Sequence, residues 1–111
     1  MKILTEDHRA SYLEKGYCSA EGLVDSAWLA RLNAVTREFV DESRGVSASN
    51  ARFDLEPDHT AERPRLRRLN APVDQHETYW EFARKGPFAD IAEDLLGPNV
   101  KFHHSKLNFK W

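Results

Sequence analysis

Five histidines, His8, His59, His76, His103 and His104, are the residues most able to organise a metal-centred reaction. A facial iron site draws two histidines and a carboxylate together, and one histidine commonly shares a short motif with its carboxylate, one residue between them. Here the residues two places on are Ala10, Ala61, Thr78, Ser105 and Lys106, so no such pair exists. His103 and His104 are adjacent, and on a strand they would point to opposite faces. Asp58-His59 lies between prolines and reads as turn chemistry. The sequence therefore offers no metal ligand set. The lone Cys18 has no neighbouring base, and no glycine-rich phosphate loop or nucleophile elbow is present. No catalytic residue is nominated.

Cationic and polar residues give a more local signal. Arg63, Arg65, Arg67 and Arg68 crowd one short segment. If 65–70 is a strand, Arg65 and Arg67 share one face and Arg68 shares the other with Leu66. Arginines there either protect a sheet edge or bind an anion. Nucleic acid is not the expected partner, because no aromatics interleave with them. The closing run, 100–111, reads as a strand with Leu107, Phe109 and Trp111 on one side and His104, Lys106, Asn108 and Lys110 on the other. That polar side is either ordinary solvated sheet or the lining of a cavity.

The elements that would position these residues follow from capping and periodicity. Thr5 before Glu6 and Asp7 predicts a helix over 5–15, stopped by Gly16. Residues 17–24 fit a strand only loosely. Asp25 caps a helix over 26–42 whose stripe is Trp28, Leu29, Leu32, Val35, Phe39 and Val40. Loops at 44–50 and 57–64 flank a short strand at 52–56, and a second strand follows at 65–70. A helix from Asp74 to Lys85 and another from Pro87 to Leu96 precede the closing strand. The 111 residues make one domain, 1–111, of α+β class, with 18 acidic and 16 basic side chains and a net charge of −2. One cysteine, no apolar run of membrane-spanning length and no signal-like start give the expectation of a cytoplasmic protein with no membrane partner.

Two stretches carry a resemblance. Leu95-Leu96-Gly97-Pro98-Asn99-Val100, leading into Phe102-His103-His104-Ser105-Lys106-Leu107-Asn108-Phe109-Lys110-Trp111, resembles the segment just upstream of the iron motif in the phytanoyl-CoA dioxygenase family. Tyr12-Leu13-Glu14-Lys15-Gly16-Tyr17, then Gly22-Leu23 and a long helix, is similar to that family's opening. The resemblance implies the N-terminal helices and first strands of a double-stranded β-helix (jelly-roll, cupin-like) oxygenase fold, incomplete here. It implies iron(II), 2-oxoglutarate and a small-molecule substrate hydroxylated at a C–H bond in the complete protein. It further implies an inactive fragment to which neither cofactor binds stably, because the family's ligands come later.

The same resemblance places Arg68 and Lys106 at positions that approach 2-oxoglutarate, although Lys106 stands where some members have methionine. His104 and Asn108 would line the cavity beside Lys106. Trp111 falls in mid-strand, which suggests a truncated chain whose exposed strand, 100–111, self-associates. The alternative is a small stand-alone α+β binding module that uses Arg63–Arg68 for an anionic partner.

Overall fold

A computed structural model describes all residues, Met1–Trp111. Five helices, α1 (Glu6–Lys15), α2 (Ser26–Ser43), α3 (Pro72–Gln75), α4 (Glu77–Lys85) and α5 (Pro87–Leu96), accompany a small sheet of β1 (Phe53–Leu55), β2 (Leu66–Asn70) and β3 (Lys106–Asn108). No helix is long and apolar enough to cross a membrane.

The helix ends obey the local chemistry of the sequence. Thr5 accepts from the His8 amide while the His8 ring accepts from the Thr5 amide, a reciprocal cap with histidine in the place usually held by glutamate. Gly16 ends α1 at φ 84°, a left-handed conformation that suits glycine. Asp25 accepts from the Trp28 amide at 2.8 Å and opens α2. The helix expected from Asp74 is instead two. Pro72 starts α3 at a position needing no amide donor, and His76 in extended conformation breaks the run. The His76 ring then caps α4 by accepting from Thr78 N at 3.0 Å.

The sheet is antiparallel throughout, in the order β1-β2-β3. Phe53, Leu69 and Leu107 stand opposite one another across it and face α2 and α4. The core is Val35, Phe39, Phe53, Leu66, Leu69 and Tyr79, with Leu32, Val40, Val73 and Phe109 packed around it. Burial pushes the Tyr79 hydroxyl upward in pKa, opposed by its hydrogen bond with Thr36 at 2.9 Å.

Several sequence expectations are corrected. Residues 17–24 form no strand, only irregular chain with a turn at Glu21-Gly22 and a bend at Val24. The closing strand is confined to Lys106–Asn108, continued only by the Phe109 amide donating to Arg67 O at 3.0 Å, because 100–105 lies beyond the end of β2 and has no neighbour to pair with. The sheet has three antiparallel strands in one layer, compatible with the opening strands of an incomplete jelly-roll. Trp111 is 59% exposed, whereas Leu107 and Phe109 are half-buried. Trp80, on the helix expected from Asp74, lies at the surface against Phe102.

Candidate functional site

The polar face of the sheet brings together three of the four residues singled out from the sequence. Arg68 pairs with Asp54 on one side and Asn108 on the other, and Asn70 pairs with Lys106 in the next row. Strand alternation then sets Asp54, Arg68, Asn70, Lys106 and Asn108 on the side opposite Phe53, Leu69 and Leu107. Arg68 Nε donates to Asn108 Oδ1 at 3.0 Å, and its Nη1 lies 3.7 Å from Asp54 Oδ2. Asn70 Nδ2 donates to Asp54 Oδ1 at 3.4 Å, so one carboxylate organises both neighbours. Lys106 forms no ion pair and is exposed.

A β-bulge creates this arrangement and overturns one expectation. Between Asp54 and Leu55 the pairing moves from Arg68 to Leu66, two steps on β2 for one on β1, which leaves Arg67 as the extra residue. Leu66 therefore returns to the core face beside Leu69, both fully buried. Arg68 does not share a side with Leu66. Its guanidinium is about a third exposed and already faces a carboxylate, so its desolvation needs no further anion. Arg67 turns outward onto Glu56, with Nη2 to Oε2 at 3.1 Å, and this hydrogen bond raises its pKa. Arg65 lies over the Trp111 ring at 4.8 Å, and Trp111 Nε1 donates to Leu66 O at 2.7 Å.

His104 does not join the group. It lies outside β3, exposed, with its ring 4.4 Å from that of His103 in an edge-on pair, so strand alternation does not set its direction. Asp54 and Asn70 are the members that sequence reasoning missed. Their signal was present, since Asp54 follows the apolar Phe53 and Asn70 follows Leu69, and pairing the two strands as a hairpin sets both beside Arg68. Two clefts lie elsewhere. One of about 440 Å³ is lined by Glu56, Asp58, Arg63, Arg65, Phe109, Lys110 and Trp111, and one of about 540 Å³ runs along α2.

The face can bind an anion through Arg68 and Lys106, with Asn70 and Asn108 as neutral hydrogen-bonding groups. It does not fit a metal ion: nowhere do three His, Cys, Asp or Glu side chains gather in a way that could hold one. The class that the fold defines is thus an α+β domain whose sheet carries a polar face of two cations, two amides and one carboxylate. The chain is 25% identical over 104 residues, 94% of its length, to the probable alpha-ketoglutarate-dependent hypophosphite dioxygenase of Stutzerimonas stutzeri. It spans 36% of that protein. No protein-family profile matches the chain, and no solved structure does. The likeness supports kinship with the 2-oxoglutarate-dependent dioxygenases as a group.

Proposed function

We propose that the chain is the N-terminal part of a non-haem iron(II), 2-oxoglutarate-dependent dioxygenase of the phytanoyl-CoA dioxygenase type. The observation that carries this reading is the likeness to a named alpha-ketoglutarate-dependent dioxygenase along almost the whole chain. The shared sheet face of Arg68, Lys106 and Asn108 is consistent with it. In this reading iron, held by residues outside these 111, supplies the oxidising chemistry once 2-oxoglutarate is bound. The residues present do the positioning. Arg68 offers its remaining guanidinium N–H groups to a cosubstrate carboxylate, while Asn108 and Asp54 fix the plane of the fork. Lys106, two residues before Asn108 on β3, adds a second positive charge on the same face. His104, from the loop before β3, would line the substrate cavity.

The test begins with the coding DNA beyond codon 111. An in-frame His-x-Asp motif is expected, and the protein it completes should release succinate from 2-oxoglutarate, with hypophosphite the first substrate to try. A stop codon with no such frame nearby would overturn the reading in favour of a self-contained module.

A further inference from the structure

The last turn of α5 contains a placement that helix electrostatics disfavours. Glu93 and Asp94 are both acidic at the C-terminal end, where the backbone dipole repels negative charge. The chain's first residues offset this. Asp94 Oδ1 accepts from Lys2 N at 2.6 Å, and Oδ2 accepts from Ile3 N and Leu4 N, each at 2.8 Å. Three successive amides thus converge on one carboxylate, the concave arrangement by which backbone binds anions. Lys2 Nζ adds ion pairs to Glu93 at 2.9 Å and Asp90 at 3.5 Å. The attachment buries Leu4 to 5% exposure, although α1, which follows at once, buries no residue.

We propose that Asp94 is a charge-dependent latch that holds residues 1–4 against α5 and releases them when its carboxylate is neutralised. The geometry gives the reason for the charge dependence. Ionised, the carboxylate has acceptor sites for all three amides, and a protonated or amide group does not accept from three donors equally well. The charged groups facing it are the Lys2 ammonium and the terminal amine on the strap, and Asp90 and Glu93 on its own helix. Burial pushes the Asp94 pKa up, but the Leu4, Lys2 and Ile3 amides and the terminal amine outweigh it and leave the value lowered. Since the folded pKa lies below the free one, the latch is fully closed above the ordinary carboxylate range. It opens as pH falls through the lowered value.

Amide exchange in the ¹⁵N-labelled 111-residue protein tests this at neutral pH. Asp94→Asn should speed exchange at Ile3 and Leu4 about ten- to a hundred-fold, the factor attached to losing a charge-assisted hydrogen bond, while Leu66 and Leu69 keep their protection. Asp90→Asn, which removes only the longer contact to Lys2, should leave all four unchanged. Unaltered Ile3 and Leu4 exchange in Asp94→Asn overturns the latch. Equal loss at Leu69 does so too, because the carboxylate would then support the whole fold. The unsubstituted protein gives a second reading: the Ile3 and Leu4 amide shifts should titrate together, with a midpoint below the ordinary carboxylate value. A midpoint at the ordinary value contradicts the proposal.

Discussion

Arg68 illustrates how a side chain's surroundings decide what its removal costs. Its pair with Asp54 is long, 3.7 Å, and both side chains are about a third exposed. Such pairs contribute roughly 0–1 kcal/mol, so Arg68→Ala should move the melting temperature of the chain by no more than a few degrees. Thermal unfolding followed by circular dichroism checks this. In the proposed complete enzyme the same substitution removes a charge-assisted hydrogen bond to 2-oxoglutarate. The apparent KM should then rise roughly ten- to a hundred-fold, whereas Arg67→Ala, whose guanidinium is turned onto Glu56, should leave it alone. If Arg68→Ala melts the fold without touching KM, or if both variants behave alike, Arg68 is structural. The core sets the contrasting case. Leu69 is fully buried and stands between Phe53 and Leu107, so Leu69→Ala should cost about 2–5 kcal/mol in denaturant titration.

The junction of α4 and α5 shows what local signals reveal and what they hide. Gly86 reads from the sequence as a helix stop, and glycine there suggests a left-handed residue. Its conformation is instead extended, φ −75° and ψ −178°, which any residue adopts. What excludes a side chain is space: a Cβ at Gly86 would stand 2.5 Å from the Phe82 carbonyl oxygen and 2.9 Å from the Phe82 ring. Gly86→Ala should therefore destabilise by about 1–3 kcal/mol, although backbone preference alone predicts no penalty, and calorimetry of the variant decides between the two. Helices α1, α2 and α5 were legible because their caps and stripes are local: Thr5, Gly16, Asp25 and Pro87 each mark an end the structure keeps. Within the site, strand alternation set Lys106 and Asn108 on one face, as the sheet has them, whereas Arg68 was singled out by the family resemblance. The facing of Arg68 relative to Leu66 was not legible, because the bulge at Arg67 exists only through pairing with β1. Residues 100–105 misled for the related reason that a strand needs a neighbour, and β2 ends at Asn70.

The chain as a whole is extended for its length. Its radius of gyration is 16.5 Å, against about 13 Å for a compact domain of this size. The excess goes with apolar surface: α5 buries no residue, and Phe88, Leu96, Val100 and Phe102 remain exposed around α5 and the segment leading to β3. Beyond β3 the sheet has no further strand, so that edge offers unpaired backbone groups beside this surface. Self-association is the expected consequence, and its salt dependence follows from the edge residues. Two copies of β3 pairing antiparallel about Asn108 would set Lys106 of each opposite Lys110 of the other, a like-charge contact that opposes the apolar attraction. Salt of about 0.5 M shortens the screening length to a few ångströms and weakens that repulsion more than it weakens burial. Light scattering on a sizing column should therefore show a mass above 12.8 kDa that grows with protein concentration and with salt. Replacing Lys106 and Lys110 with threonine should give the high-salt behaviour at low salt. A monomer at every concentration in high salt, unfolding in one cooperative step, would mean that these surfaces are tolerated in water. It would favour the self-contained anion-binding module over a domain built to be covered by more protein.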